Sequence, residues 1–303
     1  VNDGIVGKDS VSVRDGNFTI ESGDDGIKAS NTEDSDKGYV LLENGSFAIN
    51  AKGDGIQAET LLRVNGGNFE ITAGGGSQNA EMVPEMPGGM ENEGKMNPPG
   101  GMENEGKMNP PEGMDNEGRM NPPEGKRPEK GITAPEDQEN SRDVSGADDS
   151  ESGSAKALKS YVELIVAGGE LNLDSLDDGI HSNQDVTVHG GTILISAGDD
   201  GIHADKTLTI NGGSLDIEKS YEGLEGFDIV INDGSIKIVS SDDGINAAGK
   251  DDGEIEPENQ KNKKNQPFMA DEDQGASMTI NGGVVYVNAN GDGLDANGDI
   301  FMN

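Results

Sequence analysis

Between Ser175 and Asn246 the chain repeats itself. Asp177-Asp178-Gly179-Ile180 returns as Asp199-Asp200-Gly201-Ile202, Tyr221-Glu222-Gly223-Leu224 and Asp242-Asp243-Gly244-Ile245, at steps of 22, 22 and 21 residues. A fixed period of this size marks a solenoid, in which each unit is too small to bury its own apolar face and relies on its neighbours. Within one unit, Leu208-Thr209-Ile210 and Leu215-Asp216-Ile217 alternate apolar and polar residues, separated by Asn211-Gly212-Gly213. Period-two alternation in such short pieces predicts strands, and the Gly-rich joints predict corners. Three short strands and three corners per unit make one coil of a parallel β-helix.

Aligning the copies gives three apolar files. The first holds Ile5, Ile27, Ile56, Leu158, Ile180, Ile202, Leu224, Ile245 and Leu294; the second Val13, Leu42, Val64, Val166, Val188, Ile210, Ile231 and Ile280; the third Ile20, Ile49, Ile71, Leu173, Ile195, Ile217, Ile238 and Val287. Like residues one coil apart stack at the inter-strand spacing of roughly 4.8 Å. The expectation is an all-β fold of about eight to nine coils of 21–22 residues. Only 31% of the 303 residues are hydrophobic, with 3% aromatic, no Trp and no Cys. That average ordinarily suggests disorder, but here the apolar residues are concentrated at the solenoid positions.

Two stretches break the pattern. Residues 1–73 carry coils one to three. From 74 to 153 the chain turns to Pro, Gly, Met and Glu, with Met90, Met102 and Met114 opening near-identical 12-residue units. Such a composition cannot bury enough surface to order itself, so a disordered insertion is expected. The step from Asp54 to Lys156 is 102 residues, one 22-residue coil plus 80 inserted. Residues 154–303 resume as coils four to nine of the same domain, with a further loop at about 250–275. The chain begins and ends inside repeats, so it is expected to be a fragment. No transmembrane run is present.

The strongest chemical signal is a column of acids at the repeat corner: Asp3, Asp25, Asp54, Asp178, Asp200, Glu222, Asp243 and Asp292, doubled by Asp24, Asp177, Asp199 and Asp242. Stacked carboxylates repel one another, and a hard cation between coils relieves the repulsion. Calcium takes six to eight oxygens at about 2.3–2.6 Å, so acids one coil apart can share an ion. Asp177, Asp178, Asp199, Asp200, Glu222, Asp242, Asp243, Asp24 and Asp25 are therefore the candidate Ca2+ ligands. Asp and Gly also suit tight turns, so turn chemistry is the competing account. His181 and His203 share a position that elsewhere holds Val6, Lys28, Gln57, Lys159, Glu225, Asn246 and Asp295. That variety predicts surface residues rather than a paired-His metal site. Asn65, Asn211, Asn232 and Asn281 are expected to satisfy neighbouring backbone at a corner. A formal charge of −37, with no basic stripe, disfavours nucleic acid.

The segments Asp-Asp-Gly-Ile-His-Ala, Thr-Leu-Thr-Ile-Asn-Gly-Gly, Ser-Tyr-Glu-Gly-Leu-Glu-Gly and Ser-Asp-Asp-Gly-Ile-Asn-Ala-Ala-Gly, within Asp199–Gly249, carry a family resemblance. They resemble the bacterial carbohydrate-binding domain of cellulose- and acid-sugar-binding β-helix proteins. The resemblance implies a right-handed, pectate-lyase-like β-helix, bound calcium, polysaccharide binding without established catalysis, and export to the cell surface. It covers nearly all of the chain outside the insertion. Lys156, standing where other copies carry an acid, departs from it. Polygalacturonases share the fold and place an Asp pair in a Gly-Asp-Asp turn. Here that turn recurs along the column, the Arg-Ile-Lys signature is missing, and His189-Gly190 alone is weak. A polysaccharide-binding module is the expected function, with a pectin-degrading enzyme or a structural surface solenoid as alternatives. The expected ligand is cellulose-like or acidic, the latter held through calcium.

Overall fold

The computed structural model describes residues 2–80, 155–248 and 275–303, all within one compact unit made of Val1–Met82 and Ser150–Asn303. The expected segment at 250–274 and all but the first residues of the expected insertion lie outside the described residues. The unit is all-β, its strands pairing in parallel, with a single 3-10 turn at Ser77–Asn79 among the described residues.

Each repeat supplies strands of three, four and six residues, as in Ile180–Ser182, Asp185–Val188 and Thr192–Ala197. Each strand pairs with its counterpart one repeat away, and the apolar files are the register of that pairing. Ile180 lies opposite Ile202, Val188 opposite Ile210, and Leu173 opposite Ile195. The register survives the 102-residue step, because Ile56 pairs with Leu158 and Val64 with Val166. The six-residue strands form an eight-stranded sheet, and the shorter ones a 16-stranded sheet. The two series of short strands join in that larger sheet because Ile202–Ile210 and Leu224–Ile231 run straight through the corner between them.

The core lies between these strands. Ile27, Ile56, Leu158, Ile180, Ile202, Leu224 and Ile245 are fully buried in one continuous file. Phe47 is sandwiched between Phe18 and Phe69, with ring centroids 5.0 and 4.7 Å apart and the planes nearly parallel. The strand spacing imposes this stack, since identical rings one repeat apart have no other way to fill the interior.

Two glycine files have separate causes. A Cβ on Gly201 would sit 2.5 Å from the Gly223 carbonyl oxygen and 2.6 Å from Ile217, so the Gly after each corner acid is a requirement of close approach. Gly213, at the next corner, has φ +97°, which a side chain disfavours. The corner asparagines are structural as expected, but their partners differ. Asn232 donates to Asn211, Asn281 to Asn232 and Asn303 to Asn281, each at 2.8 Å, forming a side-chain ladder between repeats in place of local backbone contacts.

The expected insertion boundary at 74 falls inside packed structure. The Ser77 amide donates to Asp174 Oδ1 at 2.7 Å, and Lys219 Nζ donates to the Ser77 carbonyl. Gly74–Ala80 therefore belongs with the repeats.

Candidate functional site

The acid column forms where each six-residue strand turns into the next repeat, and its first property is a hydrogen-bond ladder. Asp3 Oδ1 accepts from the Asp25 amide at 3.1 Å, Asp25 from Asp54 at 2.9 Å, and Asp54 from Lys156 at 2.8 Å. Asp178 accepts from Asp200 and Asp200 from Glu222, both at 3.1 Å, and Asp243 from Asp292 at 2.6 Å. One carboxylate oxygen thus caps the next repeat's backbone. The corner chemistry accounts for why an acid recurs here, and it leaves the second oxygen to find a cation.

Side chains three residues beyond a column position, on the same repeat or the next, supply several of those partners. A strand beginning at Asp-Gly-Ile-X returns X to the side of the Asp. Lys28 Nζ lies 2.6 Å from Asp25, Lys159 Nζ 3.7 Å from Asp54, and His181 Nδ1 2.8 Å from Asp178. His203 Nδ1 lies 2.9 Å from Glu225 and 3.4 Å from Asp200, while its Nε2 lies 3.3 Å from Asp205. Lys156, in the column itself, binds Asp177 and lies 3.3 Å from Asp178.

The sequence reading of this position needs correcting. His181 is buried and His203 half-buried, their ring centroids 4.9 Å apart, so they do not behave as surface residues. Their file packs over the column, and its variety reflects which acids each repeat must neutralise. Glu225, Asp205 and the three lysines were missed as members of the site. The signal available was the recurrence of Lys and His at one fixed distance after the acid.

Electrostatics divide the column. Burial opposes ionisation of Asp178, but the hydrogen bond from His181 and the charge of Lys156 outweigh it and hold the carboxyl below its usual range. Burial also opposes charge on His203, yet Asp200, Asp205 and Glu225 push it up to about 12, making it a standing imidazolium. Other members lack such compensation. Burial raises Asp54 to about 6 despite Lys159. Burial, then Asp178 and Asp177, raise Asp199 to about 6, and burial with Glu225 raises Glu222 to about 7. Burial and neighbouring acids likewise raise Asp24 and Asp243.

Of the nine predicted ligands, the structure gathers Asp24 and Asp25 with Asp3, and Asp177 and Asp178 with Asp199, each trio having ligand atoms within 4.8 Å of one another. Asp200 groups with His203 and Glu225, and Asp178 also groups with His181 and His203. Glu222, Asp242 and Asp243 join none of these groups. Glu222 instead accepts from the Asn246 amide at 3.0 and 3.1 Å.

A second concave feature lies on the outer face of the eight-stranded sheet. It is a groove of about 410 Å³ crossing the strands that carry Glu21, Asn50, Glu70, Thr72, Asn172 and Asp174. Asn50 donates to Glu21 at 2.9 Å and Asn172 to Glu70 at 2.8 Å.

A family model described as carbohydrate-binding domain-containing protein matches residues 1–201 of the 303, so the chain belongs to that family. No curated protein and no solved structure matches the chain.

Proposed function

We propose that this member of the carbohydrate-binding domain family is a non-catalytic, extracellular module that binds polysaccharide, cellulose-like or acidic, and winds as a right-handed parallel β-helix stabilised by calcium. The strand register supports the winding, since every strand pairs in parallel with the one a repeat away. The observation that carries the non-catalytic reading is the condition of the acid column. Its carboxylates are spread over successive repeats and engaged with backbone amides, lysines and histidines, so no single pair is set aside for proton transfer.

The residues best fit a hard cation at one end, where Asp3, Asp24 and Asp25 bring carboxylate oxygens together. Asp177, Asp178 and Asp199 also gather in the middle, but there Lys156 already neutralises Asp177 and Asp178. All-oxygen donor sets of this kind suit calcium. The ion would supply charge neutralisation to carboxylates standing close together, among which burial and the charge of Asp25 already raise Asp24. Within the His181–His203 segment the protein supplies its own cations, so the need for an ion is least there.

The test is a panel of immobilised polysaccharides, neutral and uronate-containing, probed with pure protein in calcium and in chelator. A reducing-end and unsaturated-product assay is run on the same mixtures. Retention on at least one polysaccharide without product, with a lower melting temperature in chelator, is the expected result. Sustained product release abolished by Asp200→Asn overturns the non-catalytic reading. Identical melting with and without calcium overturns the ion.

A further inference from the structure

We infer that the glycan site is the groove on the outer face of the eight-stranded sheet, and that it takes an uncharged, linear glycan chain laid across the strands. The inference rests on the polysaccharide-binding reading and deepens it, by moving ligand recognition away from the acid column.

The groove is built from the sheet's own alternation. Residues two apart on a strand share a face, so Thr19 and Glu21, Ala48 and Asn50, Glu70 and Thr72, and Asn172 and Asp174 project outward in two parallel rows. Register places these rows across neighbouring repeats, with Ala48 opposite Glu70 and Asn50 opposite Thr72. Ala48 is small, which opens a trough between the taller neighbours. Beside the groove the Gly74–Ala80 segment is held to the sheet by the Ser77 amide on Asp174 and by Lys219 on the Ser77 carbonyl.

The lining chemistry selects the ligand. Carboxylates of Glu21, Glu70 and Asp174 accept hydrogen bonds, while the amides of Asn50 and Asn172 donate and accept. Sugar hydroxyls, each both donor and acceptor, match this mixed set. Among the described residues no Lys or Arg lines the groove, so a uronate chain meets Glu21, Glu70 and Asp174 with no counter-charge in a protein already at −37. No aromatic ring among the described residues lines it either, so recognition is by hydrogen bonding to an extended chain rather than by ring stacking. Adjacent strands offer a fresh set of partners every ~4.8 Å, a spacing of the same order as the advance of one pyranose in an extended glycan. The acid column has the opposite character. Asp25, Asp54, Asp178 and Asp200, its innermost members, are buried and engaged with amides and cations.

The experiment is calorimetric titration of the full chain, in chelator, with cellohexaose and xylohexaose as neutral probes and hexagalacturonate as the acidic one. The proteins are wild type, Asn50→Ala/Asn172→Ala, and Lys237→Gln as a control on the same face beyond the groove. Asn50 and Asn172 are exposed, so circular dichroism and melting should be unchanged by their truncation. The expected result is that wild type and Lys237→Gln bind a neutral hexasaccharide and the double variant binds it at least tenfold more weakly, with hexagalacturonate ignored by all three. Undiminished binding by a folded double variant overturns the groove as the site. If wild type takes up no neutral probe but binds polygalacturonate once calcium is restored, the groove fails while the polysaccharide-binding reading survives. Binding to neither class, in calcium or chelator, removes both.

Discussion

Glu222 gives the sharpest test of how the acid column is balanced. Its carboxylate is half-buried in the column, and burial together with the charge of Glu225, three residues further on, raises its ordinary value of 4.5 to about 7. The sign follows from linkage. The folded state holds this proton more tightly than the unfolded chain, so the associated stability is complete below about pH 4.5 and is lost as pH rises through about 7. At 1.36 kcal/mol per pH unit, that difference corresponds to about 3 kcal/mol at full ionisation. Water reaching the exposed part of the side chain reduces the expected effect to about 1–2 kcal/mol.

Glu222→Gln keeps the shape and an acceptor for Asn246 but cannot ionise. In chelator at pH 8 it should therefore be more stable than wild type by about 1–2 kcal/mol, which for a unit of this size is about 2–8 °C in melting temperature. At pH 4 the two proteins should melt together. Adding calcium at pH 8 should raise wild type more than the variant if Glu222 contributes to an ion site, because a ligand bound by the folded state stabilises by mass action. Thermal melts followed by circular dichroism across this grid suffice. A Glu222→Gln protein that melts at or below wild type at pH 8 in chelator refutes the argument, because the charge on Glu222 would then be compensated within the fold.

Phe47→Ala removes the middle ring of the aromatic stack and should cost about 3–5 kcal/mol in chemical denaturation, with an unchanged β spectrum. Lys156→Ala strips the cation from Asp177 and Asp178 and should cost about 3–5 kcal/mol in chelator, a loss that calcium should partly restore. Excising 81–154 behind a short flexible linker should preserve the melting temperature within a few degrees, whereas excision from 74 should lower it, because Gly74–Ala80 is held by Asp174 and Lys219. Gly201→Ala should impair folding, since the added methyl meets the Gly223 carbonyl; a soluble variant that melts like wild type would show that the repeats can part at this point.

The apolar register was legible because stacking one repeat on the next forces like residues into one file, and a file is visible in a single sequence. Ile5 to Leu294, Val13 to Ile280 and Ile20 to Val287 are paired in the structure as the alignment of copies predicts. The acid column was legible for the same reason. Its partners were not, because neutralisation is solved differently in each repeat. Lys28, Lys159, His181 and His203 answer the same electrostatic need with different residues, and a position that varies in identity while conserving a role looks like surface. The groove was hidden for another reason. Its residues are ordinary outward positions of successive strands, and nothing in their identity or spacing marks them as concave.

Lys156 shows how these two kinds of position meet. It occupies a column place where the neighbouring repeats hold an acid, and its amide still donates to Asp54 Oδ1 as the ladder requires. The backbone function of the position is therefore kept by any residue with an N–H, while the side chain is free to change sign. With an ammonium there, the pair Asp177 and Asp178 has its counter-charge built in, and Asp178 ionises readily at full burial. One repeat further on, burial with the charges of Asp178 and Asp177 outweighs that ammonium at Asp199 and raises it to about 6. Side-chain cations and bound ions are thus alternative solutions to one problem set by stacking acids at the strand spacing. The dependence of each segment on an external cation should scale with how few lysines and histidines its own repeats provide. The outer face of the eight-stranded sheet sets a milder version of the problem, since its more exposed acids pair with Asn50, Asn172 and Lys237.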